Sequence, residues 1–192
     1  YRTIIRLGAD AVIGGHPHTM QGYELCDGKP IYYSMGNFFF QYVPRQEASW
    51  YRGYMVQLDF TETGVSGEVI PYTADPDTMR LTPVTGQGYT NTIAYLETLS
   101  AYIADTAKLR RMYESWCTMS GFGYSRSLVL DPAYMTVTDI PVPIAPLKNL
   151  FGCEAHNELM RTTLDLAFFG GLAKAAEARD EIRRLQVMPE ID

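Results

Sequence analysis

The chain has 192 residues, 46% apolar and 20% charged, a balance that suits one globular domain or a domain with an appendage. A formal charge of −6, without a large block of Lys or Arg, argues against a nucleic-acid partner; the nearest basic group, Lys108, Arg110 and Arg111, reads as the solvated face of a helix. No apolar run reaches the roughly 20 residues of a membrane-spanning helix; Cys26, Cys117 and Cys153, widely spaced and without a CxxC pair, read as buried free thiols, with a bridge such as Cys26–Cys153 left open.

Residues 1–7, YRTIIRL, read as the tail of a helix stopped by Gly8. The chain opens inside that helix and without methionine, as a fragment or processed product would. ADAVIGG, residues 9–15, is a glycine-bounded apolar run too short for a helix, and predicts a buried strand of parallel type. Asp27-Gly28 is a hairpin signal between strands over 22–26 and 30–35. A second hairpin spans 52–60 and 65–73 around Thr63-Gly64, with Tyr54, Val56, Leu58 and Phe60 on one face. Residues 74–90 read as a loop, after which Asn91 or Thr92 caps a helix over 93–118. Residues 119–152 read as irregular, with a proline-rich connector near 131–150. A helical segment over 154–187 breaks at Gly170-Gly171. The organisation expected is therefore an α/β portion over 1–73, a loop over 74–90 and a mainly helical segment over 91–192.

Two of the three histidines lie in VIGGHPHTMQG, residues 12–22, on either side of Pro17. On extended backbone, residues i and i+2 project to the same side, so His16 and His18 would aim at one point. Pro17 turns His16 away from the α region. Gly14 and Gly15 turn the chain off the carboxyl end of the strand, where open α/β sheets bind ligands. Imidazole is the commonest metal ligand, and in a two-metal centre two histidines can serve different ions. Spacing alone favours two incidental imidazoles, and two ligands fall short of the three or four protein groups zinc takes. Further donors are scarce: Asp10 sits at the far end of the strand, Glu24 and Asp27 belong to the next hairpin, and His156 opens a helix, where it caps or packs. Ser34, Ser49 and Ser115 lack a nucleophile-elbow context. Tyrosines such as Tyr32, Tyr33, Tyr42 and Tyr51 read as sheet residues with their hydroxyls at the surface rather than as a carbohydrate groove.

Four motifs in sequence carry a family likeness: Gly8-Ala9-Asp10, Gly14-x-His16-Pro17-His18, Gln21-Gly22-x-Glu24, and Tyr33-Ser34-x-Gly36-Asn37-Phe38. Together they resemble the C-terminal part of the bacterial capsule synthesis proteins, the CapA or poly-γ-glutamate capsule family, which is similar to calcineurin-like metallophosphoesterases. The resemblance covers residues 1–73 and implies an α/β fold: the C-terminal part of a four-layer α/β/β/α sandwich, followed by the helical segment. It implies His16 and His18 as metal-ligating and catalytic residues, with Gly15, Glu24 and Asn37 in the site loop, Asn37 either near the site or as a turn former. The cofactor implied is divalent metal, as single ions or a dinuclear pair. The chain departs from the family at Gly15, where a polar residue or histidine is common, and at Gln41, where Asp or Asn is common. The family's remaining ligands precede Tyr1, so this chain holds half a site. The upstream part of the same protein, or a complementary chain, is the partner implied, with an anionic polymer as a further one. The expected activity is metal-dependent hydrolysis of a phosphoester or γ-glutamyl bond in a bacterial protein at the membrane or cell surface. The rivals are a non-catalytic scaffold or export partner in capsular polymer synthesis and a lectin-like polymer binder.

Overall fold

The computed structural model describes residues 1–38, 47–78, 80–126 and 144–191, with 144–147 as backbone only. The chain divides into two compact units, Tyr1–Thr106 with Val187–Asp192, and Ala107–Gln186.

The first unit opens with α1, Arg2–Arg6, and the chain leaves it through Gly8 at φ +113°, the stop the sequence predicts. Three short strands follow: β1, Val12–Ile13; β2, Tyr23–Cys26; and β3, Lys29–Tyr32. They form a sheet of order β1-β3-β2, with β1 parallel and β2 antiparallel to β3. Asp27 and Gly28 both take positive φ (53° and 76°), as a type I′ hairpin turn requires. The predicted strand over 9–15 contracts to two residues, and Ile13 is 43% exposed rather than buried. The chain leaves the ladder at Gly14, after its N–H donates to the Tyr32 carbonyl at 2.7 Å. The strand expected over 30–35 ends at Tyr32, because residues 33–37 turn away toward the second sheet.

That second sheet is built from β4, Arg52–Thr61, β5, Gly64–Ala74, and β6, Leu81–Pro83, in the order β4-β5-β6. Tyr54 lies opposite Pro71 and Val56 opposite Val69 across the hairpin, so these pairs share a face. Consecutive strand residues point to opposite faces, and β3 shows what each face of the first sheet meets. Ile31 joins Ile5, Val12 and Cys26 beneath α1. Tyr32 joins Met20, Tyr54, Val69 and Leu96 in a core shared with the second sheet. Tyr32 is therefore a core residue, not one with its hydroxyl at the surface; Tyr42 lies outside the described residues. The apolar stripe of β4 holds for Tyr54, Val56 and Leu58, but Phe60 is exposed because the hairpin tip extends past the core.

Leu96 comes from α2, Gly86–Ala104. The helix expected over 93–118 is in fact two: α2, and α3, Thr106–Arg126, separated by Asp105 in extended backbone (φ −107°, ψ 97°). Periodicity runs across that break because it needs no glycine or proline. Asn91 and Thr92 are interior to α2 instead of capping it; the Thr92 hydroxyl donates to the Gly88 carbonyl at 2.8 Å. Two glycines in the first turn, Gly86 and Gly88, disguise the start, and Gly88 is needed there, since a Cβ would lie 2.5 Å from the Ile191 carbonyl oxygen. The final segment thus returns to the first unit: Met188 packs on its core, Asn91 donates to the Glu190 carbonyl at 3.0 Å, and Arg52 donates to the Pro189 carbonyl. The compact first unit consequently includes α2 and does not end near 73.

The second unit continues from α3 through α4, Ile144–Gly152, α5, Glu154–Phe168, α6, Leu172–Ala175, a 3-10 turn, Ala176–Ala178, and α7, Arg179–Leu185. Its core gathers Cys117, Leu150, Leu159 and Met160. Gly170, at φ +72°, ends α5 as expected. The irregular stretch expected over 119–152 is helical to 126 and again from 144; 127–143, most of the proline-rich connector, lie outside the described residues. Pro146 falls in the first turn of α4, where its missing N–H costs no helical bond. All three cysteines are unbridged, and His156 packs its ring on Tyr124 at 5.3 Å.

An ion pair ties α1 to β2. Arg2 donates from Nε and Nη2 to the two oxygens of Glu24 at 2.7 Å each, and the Tyr33 hydroxyl donates to Glu24 at 2.5 Å. The hydrogen bonds from Arg2 hold the Glu24 carboxyl below the ordinary glutamate range, while burial and then Glu24 push the Tyr33 hydroxyl up to about 12. A carboxylate whose pKa is lower folded than unfolded stabilises the fold fully above its unfolded pKa, and that contribution is lost as pH falls through the folded value. Arg2 is partly exposed, so screening keeps the pair to about 1 kcal/mol. Glu24→Gln should lower the urea midpoint at about pH 7, with the gap to wild type closing below about pH 4.3. Two glycine substitutions should diverge. A Cβ on Gly53 would meet the Tyr72 hydroxyl at 2.3 Å and the Met35 carbonyl oxygen at 2.8 Å, whereas one on Gly15 meets nothing within 4 Å. Gly53→Ala should cost about 1–3 kcal/mol and Gly15→Ala less than about 0.5 kcal/mol in thermal or urea unfolding.

Candidate metal centre

The histidine loop begins where β1 stops. Gly14 packs so closely on the next strand that a Cβ would lie 2.2 Å from the Tyr33 carbonyl oxygen, so only glycine fits. Gly15 faces open space, so its position does not demand glycine. His16 and His18 then take positive φ, 93° and 59°. The backbone is therefore not extended, and the same-side rule for strands does not bring the two rings together. Their ring centroids nevertheless lie 5.9 Å apart, with the planes at 49°. Two imidazoles on one tetrahedral ion, with metal–nitrogen distances of about 2.0–2.1 Å, have centroids roughly 5 Å apart, so these rings stand slightly wider than a shared ion would hold them.

A non-glycine residue at positive φ costs on the order of 1 kcal/mol, so two in three residues must be held by their surroundings. The fully buried Ser34 is the first anchor: its hydroxyl donates to the Thr19 carbonyl at 2.8 Å, and its own carbonyl accepts from the Gln21 N–H at 2.9 Å. Met20 and Met35 form a bridge alongside. From the second sheet, the Tyr54 hydroxyl donates to the Gln21 carbonyl at 3.2 Å.

Asn37 reaches the site from the second sheet as well. Gly36, at φ +80°, bridges to Gly53 of β4, and the Tyr54 N–H donates to the Met35 carbonyl at 2.9 Å. The Tyr72 hydroxyl donates to the Asn37 carbonyl at 2.7 Å. Burial pushes the Tyr72 hydroxyl up to about 12 and raises that of Tyr54, so both stay protonated as donors. The Asn37 side chain, 5% exposed, places Oδ1 at 2.7 Å from His18 Nδ1 and donates from Nδ2 to the Trp50 carbonyl at 3.0 Å. Trp50, on a 3-10 turn over Ala48–Tyr51, stacks on the His18 ring at 5.0 Å and 25°.

The structure thus brings together His16, His18 and Asn37, whose side chain contacts His18. Glu24 is engaged instead by Arg2 and Tyr33. Gln41 lies outside the described residues. Among the described residues no group of three or more His, Cys, Asp or Glu is placed to hold a metal ion. The two imidazoles fit as a partial nitrogen donor set. Ser34, Trp50 and Tyr72 support the site without a signal of that role in the sequence: Ser34 stands in a family motif but its bonds to the loop are tertiary, and Trp50 and Tyr72 reach the loop through pairing that no local pattern announces.

Residues 1–42 match the family model described as Bacterial capsule synthesis protein PGA_cap. The chain is 49% identical over 39 residues to the uncharacterized proteins y4sH and y4uA of Sinorhizobium fredii (strain NBRC 101917 / NGR234), covering 20% of this chain and 8% of each relative. It is 44% identical over 39 residues to the PGA biosynthesis protein CapA of Bacillus subtilis (strain 168), covering 20% of this chain and 10% of that protein. The matches to these relatives therefore span a tenth or less of their length, while the family model falls on the stretch that carries α1, the first sheet and the histidine loop. Over residues 1–42, then, this chain is similar to the bacterial capsule synthesis protein PGA_cap family.

Proposed function

We propose that His16 and His18 supply two nitrogen donors to a divalent-metal centre in a bacterial capsule-polymer protein, and that the remaining donors come from the upstream part of that protein or from a complementary chain. The observation that carries this reading is the pair of imidazoles 5.9 Å apart on a backbone held at positive φ in both residues. Strain of this kind persists where the surroundings over-determine it, and it gathers at functional sites. A divalent ion or ion pair held there by His16, His18 and further donors would supply the Lewis-acid chemistry of metal-dependent hydrolysis of a phosphoester or γ-glutamyl bond. The chain's own contribution is to hold both rings at the rim of the first sheet.

The same reading makes α1 and the two facing sheets the C-terminal part of a four-layer α/β/β/α sandwich. Among the described residues β1 pairs only with β3, and Ile13, Ile4 and Leu7 are exposed. An added strand along β1 would cover an open edge and bring further ligands to the end of the same sheet. An anionic capsular polymer is the substrate class proposed, and the bacterial membrane or cell surface the location; among the described residues no helix is long and apolar enough to cross a membrane. The absence of a three-donor group among those residues also suits a non-catalytic scaffold or export partner in capsular polymer synthesis.

Metal content of the full-length protein separates the two readings. Loading measured by elemental analysis should fall more than about tenfold in the His16→Ala/His18→Ala double variant and by a smaller factor in each single variant. Loading unchanged in the folded double variant would remove the metal reading and leave the scaffold.

A further inference from the structure

We infer that Asn37 is a positioning residue that fixes His18 as the Nδ1–H tautomer, so that His18 presents Nε2 at the site; that this nitrogen then meets a metal rests on the function proposed above. The chain of donors and acceptors leaves one solution. The Trp50 main-chain oxygen can only accept a hydrogen bond, so the Asn37 atom 3.0 Å from it must be the amide nitrogen. The other end of the amide, 2.7 Å from His18 Nδ1, is then the carbonyl oxygen, which also can only accept. Nδ1 must therefore carry the proton. A neutral imidazole has one N–H, so its lone pair is on Nε2.

The amide is fixed at the other end too. Its main-chain carbonyl is held by the Tyr72 hydroxyl at 2.7 Å, and the preceding Gly36 lies so close to β4 that a Cβ would sit 2.7 Å from the Arg52 carbonyl oxygen. Trp50 acts twice: its carbonyl sets which way the amide faces, and its ring, stacked at 5.0 Å, sets the plane in which the imidazole lies. Ligating histidines elsewhere are oriented by a partner on their second nitrogen, and loss of such partners weakens metal binding by about 10–100-fold. Here a neutral amide does this work, which selects a tautomer without adding charge.

The test is two-dimensional 15N–1H NMR of the metal-free full-length protein labelled with 15N-histidine, with His18 assigned from a His18→Gln variant. The wild-type spectrum should show a protonated Nδ1 and a bare Nε2, the reverse of the tautomer that histidine prefers in water. Asn37→Leu removes the acceptor and should move the proton toward Nε2, while Asn37→Asp keeps an acceptor and should preserve the Nδ1–H form. On metal titration Asn37→Leu should bind about 10–100-fold more weakly, and Asn37→Asp, which keeps the acceptor for His18 but loses the donor to the Trp50 carbonyl, should fall between it and wild type. A wild-type proton on Nε2 would overturn the inference whether or not any variant folds, and so would a folded Asn37→Leu protein with both the Nδ1 proton and full metal affinity retained. Because the tautomer is read without metal, its result stands apart from the loading experiment on His16 and His18.

Discussion

One buried amide joins the two sheets of the first unit to the histidine loop. Asn37 touches His18 with one end and the Trp50 carbonyl with the other, and its main chain is held by Tyr72. His18 is thereby a residue of the first sheet's rim aimed by the second sheet. The core between the sheets supports that aim. Tyr32, Tyr54 and Val69 bury the apolar surface that keeps the layers in contact, and the Tyr54 hydroxyl reaches from that core to the loop carbonyl of Gln21. Burial of this kind is non-directional, while the hydrogen bonds at its edge are directional. The first sets how far apart the layers lie, the second where one imidazole points.

Close approach makes the joint rigid. Gly14, Gly36 and Gly53 each stand where a Cβ would overlap a neighbouring main-chain atom or the Tyr72 hydroxyl. The backbones of the histidine loop, the Asn37 loop and β4 are thus nearer to one another than side chains would permit. Ser34 uses that nearness, bonding Thr19 and Gln21 from a position with no solvent access. The cost of holding His16 and His18 at positive φ is spread over this frame, so no single contact must carry it.

Local chemistry was readable in the sequence wherever a residue type enforces a backbone shape. Asp27-Gly28 announced its hairpin, Gly8 the end of α1, and Gly170-Gly171 the break after α5, because each needs a conformation few other residues adopt. The His-Pro-His element is visible as a candidate, but the extended backbone expected for it does not hold, since both histidines take positive φ. The start of α2 at Gly86 and its end at Asp105 escaped notice because the first is built from poor helix formers and the second carries no breaker. The partners of Asn37 were illegible for a different reason. Trp50 and Tyr72 lie 13 and 35 residues along the chain from it, and their approach follows from sheet pairing that no single-sequence pattern encodes. The likeness to capsule synthesis proteins found the neighbourhood; the tertiary contacts say what holds it.

The path of the polypeptide places an unusual demand on the six-residue return at its end. Along the chain, Ala107–Gln186 comes between α2 and a short segment that belongs to the first unit, where Met188 packs on the inter-sheet core and Arg52, whose carbonyl crowds Gly36, donates to the Pro189 carbonyl. Trimming that short segment would therefore open a hole in the core between the sheets and uncover the helix start at Gly88, although it lies outside every motif.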